Sequence, residues 1–258
     1  MSDDDLVREQ QGNILVLRMN RPESRNSLNR AMIGGIGQAI IDAENDPGIG
    51  AVVLTGTGDK AFCSGMDLRE FADGGPPDEE TMDGTRAFMR LGSGKAKIPI
   101  VGAINATAVA GGFELLLACD VSVVSSAAVF GIPEVKRGLF AGGGGTVLGS
   151  RIPLAVALEL GLTGDYIDAQ RAYDLGLVNR VVAPDQVMDT ALELARRIAA
   201  NGPLGLTATK ELLWLSALDP TAVPARQLEW QQIVMHSEDA KEGSLAFVEK
   251  RPPVWKGR

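Results

Sequence analysis

The stretch AVAGGFELLLACD, residues 108–120, is informative about the fold because it links two strand-like segments through a mostly apolar element. Residues 115–119 are apolar without a break, which is typical of a helix or strand that is buried on every side. Glu114 nevertheless stands at the start of this element, directly behind two glycines, Gly111 and Gly112. A carboxylate at the mouth of a buried element needs a reason.

Strand-like and helix-like segments alternate on both sides of this stretch. The continuous apolar run 98–108 predicts a strand before it, and the run 120–132 predicts another strand after it, so the element between them is predicted as a helix. Further strands are predicted at 13–22 and 50–62, with a helix at 27–47. This alternation is typical of an α/β fold.

The pattern changes towards the C-terminal end of the chain. From about residue 152 onwards the sequence becomes mainly helical, and the predicted helices are 153–162, 169–175, 184–200, 203–217, 220–236 and 238–249. Residues 63–75 are expected to form a loop and a short helix, and 76–96 a polar segment followed by a helix. We expect residues 71–96 to shape the substrate pocket.

Composition excludes several classes of protein. The 258 residues carry a net charge of −8, which argues against nucleic acid or an anionic membrane as the main partner. His236 is the sole histidine, so no histidine-rich metal site is possible. Cys63 and Cys119 are too few for a disulfide framework, and the acidic N-terminal segment does not resemble a secretory signal, so a cytoplasmic location is expected.

Two glycine-containing turns could bind an oxygen that develops negative charge. The first backbone N–H groups of a helix lack internal partners, and Gly111 would let another molecule approach them closely. The segment FCSGMDL, residues 62–68, repeats this arrangement after another predicted strand, and the N–H of Met66 could point at the same oxygen. Two such donors would form an oxyanion hole, whereas the alternative is two ordinary strand-to-helix turns.

Two glutamates are candidate acid and base groups. Glu114 could simply favour a helix N-terminus, and Glu134 could form a salt bridge with Lys136 or Arg137. If both face one substrate, burial would raise their pKa values towards the range useful for proton transfer. The glycine-rich run 138–153 lacks the GK[ST] ending of a phosphate loop, so we expect it to pack against a helix or line a substrate tunnel.

Together these segments resemble the crotonase family, the enoyl-CoA hydratase/isomerase superfamily. The matching segments, in the family's order and spacing, are NRPESRNSLN (20–29), KAFCSGMDLRE (60–70), IPIVGAINATAVAGGFELLLACD (98–120), FGIPEVKRGLFAGGGGT (130–146) and LTGDYIDAQRAYDLGLVNRVV (162–182). The resemblance implies a spiral of ββα units that binds and transforms an acyl-CoA over residues 1–200, and a helical trimerisation region over 201–258. It also implies a homotrimer or a dimer of trimers.

The resemblance implies an enoyl-CoA hydratase that stabilises a thioester enolate. The N–H groups of Met66 and Gly111 would be the oxyanion donors, Glu114 would orient and deprotonate water, and Glu134 would supply a proton to Cα. No metal or separate cofactor is expected, because coenzyme A enters with the substrate. The expected substrate-binding residues are Arg25, Ser27, Ser64, Asp67, Leu68, Gly112, Gly142 and Lys250.

Two of these placements are less specific than the others. Residues 23–28 are expected near the adenine and ribose of coenzyme A, and Lys250 near a phosphate, in the same subunit or a neighbouring one. Solvated surface charge is the alternative for both. The alternative activities are an enoyl-CoA isomerase, a specialised acyl-CoA dehydratase of the carnitinyl-CoA type, and a non-catalytic acyl-CoA-binding subunit.

Overall fold

The computed structural model describes residues 5–73 and 82–258, and they form two β-sheets with helices around them. The strands are β1 (Leu6–Gln11), β2 (Ile14–Met19), β3 (Ala51–Gly56), β4 (Ala61–Cys63), β5 (Ile100–Ile104), β6 (Thr107–Val109), β7 (Val121–Ser125), β8 (Val129–Gly131), β9 (Ile167–Asp168) and β10 (Arg180–Val182). One sheet has the order β1-β2-β3-β5-β7-β10, and the other has the order β4-β6-β8-β9. β1 is antiparallel to β2, and the rest of the larger sheet is parallel.

Helices follow the strands and dominate the last third of the chain. They are α1 (Arg30–Asn45), α2 (Leu68–Asp73), α3 (Met82–Leu91), α4 (Gly111–Leu117), α5 (Leu148–Arg151), α6 (Leu154–Thr163), α7 (Ala169–Asp174), α8 (Val187–Ala199), α9 (Pro203–Leu218), α10 (Val223–Met235) and α11 (Glu238–Glu249). Over the described ranges, no helix combines the length and the apolar character needed to cross a bilayer.

Successive strand pairs wind into a spiral, which confirms the predicted ββα units. In each turn the first strand, β3, β5 or β7, joins the larger sheet, and the second, β4, β6 or β8, joins the smaller one. β4, β6 and β8 are parallel neighbours, so their C-terminal ends meet at one edge of the smaller sheet. The segments that follow them are therefore brought together, and these segments carry Met66, Gly111 and Glu134.

The larger sheet separates two apolar layers because side chains alternate along its strands. Val16, Val53, Val101 and Val123 lie in one layer with the apolar face of α8. The opposite layer contains Leu17, Leu54, Ile104, Phe113 and Phe130 among many others. The rings of Phe113 on α4 and Phe130 on β8 stack with centroids 5.7 Å apart, which ties α4 to the smaller sheet.

Helices α1 and α3 cross at glycines. A Cβ built on Gly37 of α1 would lie 1.7 Å from the carbonyl oxygen of Gly84 of α3, and a Cβ on Gly84 would lie 2.2 Å from that of Gly34. The two backbones are therefore in direct contact, which only glycine permits. The crossing presses α3 against the core, from where it presents Phe88 and Leu91 to the cavity described below.

The structure refines the sequence-based boundaries. The continuous run 98–108 is divided into β5 and β6, which belong to different sheets, and the runs 50–62 and 120–132 are divided in the same way. β1 was not predicted, since its polar residues pair with β2 but bury little beyond Leu6. The helix at 27–47 begins at Arg30, because the Asn29 side chain accepts a hydrogen bond from the Met32 N–H. Residues 74–81 of the segment 71–96 lie outside the described residues.

Candidate active site

A cavity of about 410 Å³ lies where the segments that follow β4, β6 and β8 meet. Its wall includes Met66, Gly111, Glu114 and Glu134, all of which the sequence singled out. The rest of the wall is mainly apolar, and it includes Leu28, Ile33, Phe88, Leu91, Leu115, Ala118, Leu139 and Phe140. An apolar cavity with a few convergent polar groups is typical of a ligand site.

The Met66 N–H is turned towards Gly111 by its pairing with Leu28. The Leu28 N–H donates to the Gly65 carbonyl at 2.8 Å, and the Asp67 N–H donates to the Leu28 carbonyl at 2.9 Å. In a parallel bridge of this kind the residue between, Met66, points its own N–H and C=O to the other side. A Cβ built on Gly111 would lie only 3.5 Å from the Met66 nitrogen, so the two turns lie side by side.

The turn into α4 exposes the N–H of Gly111. Ala110 precedes the helix with φ 52° and ψ −133°, a conformation that L-residues rarely adopt, and its N–H donates to the Gly131 carbonyl at 2.9 Å. Gly111 is the first residue of α4, so its N–H has no partner within the helix. In the described chain, no residue accepts a hydrogen bond from Met66 or Gly111, so both donors are available to a bound oxygen.

The Glu114 carboxylate is held by backbone groups of the glycine-rich run. Its Oε1 accepts from the Gly143 N–H at 2.8 Å and from the Gly145 N–H at 2.7 Å, and the side chain is almost fully buried. Burial raises the pKa of Glu114, while the N–H groups of Gly145, Gly143 and Gly144 oppose that rise because they stabilise the anion. This carboxylate is therefore buried but provided with donors.

The surroundings of Glu134 stabilise its charged form less than those of Glu114 do. Its Oε2 is buried and has no hydrogen-bond partner among the residues that the structure describes. Burial raises the pKa of Glu134, the negative charge of Glu114 raises it further, and its own backbone N–H and the charge of Arg137 oppose the rise. Among the described residues, the alternative of a salt bridge from Glu134 to Lys136 or Arg137 is not formed, and Lys136 instead donates to Asp165 at 2.8 Å.

The two carboxyl groups are suited to opposite roles. Backbone N–H groups stabilise the charged form of Glu114, whereas Glu134 lacks comparable support and feels the charge of Glu114. Such a pair can hold one carboxylate that accepts a proton and one carboxyl that donates a proton. The donors of Met66 and Gly111 lie in the same cavity, where they could stabilise an oxyanion.

The structure brings together seven of the residues expected at the site and places the others apart. Ser64, Met66, Leu68, Gly111, Glu114, Glu134 and Gly142 line the cavity. Arg25, Ser27, Asp67, Gly112 and Lys250 do not belong to its wall. The described part of 71–96 contributes Phe88, Met89, Leu91 and Gly92, as expected of a segment that shapes the pocket.

The residues that were expected to bind substrate but do not line the cavity have other partners. Asp67 accepts from Arg21 at 3.1 Å and from Ser27 at 3.2 Å, and burial, the largest influence, only partly offsets the lowering of its pKa by these donors. Gly112 is a packing position, because a Cβ there would lie 2.1 Å from the Cys63 carbonyl oxygen. The Arg25 carbonyl accepts from the Ser64 N–H at 3.1 Å, which fixes the turn before Met66.

Lys250 ends α11 in the left-handed conformation with φ 55°, as the residue that caps the helix.

Sequence reasoning missed the donors that Gly143 and Gly145 supply to Glu114. The signal was present as the run of four glycines at 142–145, but a backbone donor leaves no side-chain pattern. It also treated Arg137 only as a salt-bridge partner, although Arg137 lines the cavity.

Comparisons with known proteins agree on one relationship. A family model described as enoyl-CoA hydratase/isomerase matches residues 9–258. Carnitinyl-CoA dehydratase of Escherichia coli (strain K12) is 37% identical over 253 residues, which cover 96% of both chains. A crystal structure of enoyl-CoA hydratase from Mycobacterium tuberculosis H37Rv is 42% identical, covers 99% of this chain and 100% of its own, and has a TM-score of 0.89. That of carnitinyl-CoA hydratase from Mycobacterium avium is 40% identical, covers 99% of both chains, and has a TM-score of 0.76.

Proposed function

This chain belongs to the enoyl-CoA hydratase/isomerase family, and we propose that it is an enoyl-CoA hydratase, which adds water reversibly to a trans-2-enoyl-CoA thioester. One observation carries the proposal: two unpaired backbone donors, at Met66 and Gly111, share a cavity with two carboxyl groups, the buried Glu114 and the half-buried Glu134. Acid, base and oxyanion donors are the groups that addition of water to a conjugated thioester requires.

The proposed mechanism depends on the negative charge that develops on the thioester oxygen. Water adds to Cβ of the conjugated thioester while Glu114 takes its proton, and the electron pair of the double bond moves towards the carbonyl oxygen. The N–H groups of Met66 and Gly111 stabilise the enolate oxygen, and one such donor contributes roughly 3–4 kcal/mol in other enzymes. Glu134 then donates its proton to Cα. The proton has moved from Glu134 to Glu114 at the end, and exchange with solvent restores the starting state.

A second candidate, a dehydratase of the carnitinyl-CoA type, is favoured by the names of two relatives, at 37% and 40% identity. It would use the same groups in the reverse direction, with loss of water from a 3-hydroxyacyl thioester. Isomerisation is less well supported, since it needs only one proton-carrying residue and both Glu114 and Glu134 line the cavity with raised pKa values. A non-catalytic subunit would not need a buried Glu134 oxygen that lacks a hydrogen-bond partner among the described residues.

The proposed activity can be tested by ultraviolet absorbance. Hydration destroys the conjugation of an enoyl thioester, so we expect absorbance to fall when the purified protein is mixed with trans-2-enoyl-CoA substrates. The mainly apolar cavity of about 410 Å³ predicts turnover of short and medium acyl chains. Crotonobetainyl-CoA, the dehydrated form of carnitinyl-CoA, is tested in parallel to measure the activity of the second candidate. If every substrate of the series binds but none is converted, both candidate activities are contradicted.

We also propose that the chain assembles as a homotrimer. Large apolar side chains are exposed on α9, α10, α11 and the segment after them: Leu213, Leu228, Ile233, Met235, Leu245, Phe247, Val248 and Val254. Exposure of so many apolar groups is unusual for a monomer and favours burial against another copy. Light scattering should give three times the 27.2 kDa of one chain, or six times for a dimer of trimers. A monomeric mass at micromolar concentration would contradict this.

A further inference from the structure

Arg137 and Glu134 share one face of a short 3₁₀ turn. The turn spans Pro133–Arg137, and in a 3₁₀ turn side chains three residues apart are aligned. Glu134 and Arg137 are three residues apart, and both line the cavity. Between them, Lys136 extends elsewhere, to the Asp165 carboxylate at 2.8 Å and the face of the Tyr166 ring at 6.0 Å.

Arg137 has no anionic partner in the parts of the chain that the structure describes. No carboxylate lies within ion-pair distance of it, whereas the cation beside it, Lys136, has one. Its charge acts on Glu134 without forming an ion pair, and the Glu134 Oε2 has no hydrogen-bond partner among the described residues. Among the described residues that line the cavity, Glu114 and Glu134 are the acidic ones, and Arg137 is the only basic one.

An unpaired guanidinium beside an apolar wall is poised for an anion. Its planar donors match the two oxygens of a carboxylate or a phosphate. Arg137 lines the cavity but is exposed, so the bound ligand must itself cover the pair to shield it from water. Leu139 and the largely exposed Phe140 lie in the same wall, so a ligand that covers them would partly desolvate the pair. A trimethylammonium group, which a carnitinyl chain carries, would instead be repelled.

We propose that Arg137 is a specificity residue that pairs with an anionic group of the thioester substrate. The shared chemistry is a pair of anionic oxygens, which could belong to a carboxylate at the far end of the acyl chain or to a phosphate of coenzyme A. The inference rests on the proposed function, because it assumes an acyl-CoA ligand in this cavity. It does not require that the protein catalyse the addition of water to that ligand.

The test measures binding of three unreactive ligands, so it does not depend on turnover. Free coenzyme A carries only the phosphates, pentanoyl-CoA adds a neutral chain, and glutaryl-CoA adds a chain of equal length with a terminal carboxylate. Dissociation constants are measured by calorimetry for the wild type, Arg137→Gln, Arg137→Lys and the matched control Lys136→Gln. We expect Arg137→Gln to weaken binding of the relevant ligand by about ten- to a hundredfold, the usual effect of losing a charge-assisted hydrogen bond.

The pattern across the ligands identifies the anion. A loss confined to glutaryl-CoA assigns Arg137 to an acyl carboxylate, and an equal loss for all three assigns it to a phosphate. Arg137→Lys, which keeps the charge, should recover part of the affinity, and the loss should shrink in high salt. The proposal is overturned if Arg137→Gln binds all three ligands within twofold of the wild type, or if Lys136→Gln loses as much. If Arg137→Gln weakens binding as expected but the wild type shows no hydratase activity, the proposed function is overturned and the role of Arg137 is not.

Discussion

Replacing Glu134 by glutamine is expected to lower kcat for hydration of a trans-2-enoyl-CoA by about 10²–10⁴-fold, the usual contribution of a positioned acid or base. Glutamine keeps the size of the side chain but cannot deliver a proton to Cα. KM should change far less, because the apolar wall that holds the acyl chain is untouched. The absorbance assay measures both constants, and Glu193→Gln, an isosteric change at an exposed position of α8, is the matched control.

The same Glu134→Gln variant should be more stable than the wild type at neutral pH. Burial and the charge of Glu114 raise the pKa of Glu134 in the folded state, so the folded protein binds its proton more tightly than the unfolded chain does. Stability is then lost as pH rises from the ordinary glutamate pKa, about 4.3, through the folded value. Glutamine removes that loss, so its advantage in Tm should be present at pH 7 and vanish near pH 4.

A lower Tm for Glu134→Gln at pH 7 would contradict the assigned environment of the carboxyl group. A rate within tenfold of the wild type, with an unchanged Tm, would contradict its catalytic role. These outcomes are separable, because the first concerns the folded state alone and the second concerns the reaction. Loss of activity together with a higher Tm is the result that the structure predicts, since the surroundings that raise the pKa of Glu134 serve the reaction at the expense of stability.

Replacing Glu114 by glutamine is expected to lower kcat by a similar factor of about 10²–10⁴. The amide oxygen can still accept from the Gly143 and Gly145 N–H groups, which now hold Oε1 at 2.8 Å and 2.7 Å. The glycine-rich run should therefore keep its position, and the variant should fold and bind acyl-CoA. The loss would arise because an amide cannot take the proton of water.

Exchange of the Cα proton with deuterated solvent distinguishes the two glutamates. In the assigned mechanism, Glu134 removes the Cα proton of a saturated acyl thioester while Met66 and Gly111 stabilise the enolate, and Glu114 takes no part. We expect Glu114→Gln to retain exchange in nuclear magnetic resonance spectra and Glu134→Gln to lose it. The opposite pattern would exchange their roles. The double variant should be little slower than the slower single variant, since the two groups act as a unit.

The sequence singled out residues that line the cavity, but it could not show how they come together. Glu114 and Glu134 are twenty residues apart, and the alternation of strands and helices alone could not bring them together. Their meeting depends on β6 and β8 being adjacent parallel strands of the smaller sheet. Each of these short strands was merged with a longer one in the sequence-based interpretation, because an apolar run shows no sign of the point where the chain passes between sheets.

Other features had no side-chain signal. The crossing of α1 and α3 rests on Gly37 and Gly84, which helix propensity alone would treat as weak points. The unusual dihedral angles of Ala110 follow from its position between β6 and α4 and not from its residue type. Arg137 was weighed only against its neighbour in sequence, and its place in the cavity became visible with the turn that carries it.

The main-chain nature of the donors determines how this site would respond to mutational scanning. The groups that hold Glu114 and the two expected to hold the thioester oxygen are backbone amides, so no substitution except proline can delete them. Apart from proline, a scan would detect these positions only through crowding, as at Gly143, where a Cβ would lie 2.6 Å from the Glu114 Oε2. The least tolerant positions of such a map should therefore include residues without side chains. Searches for active sites that rank only reactive side chains would overlook them.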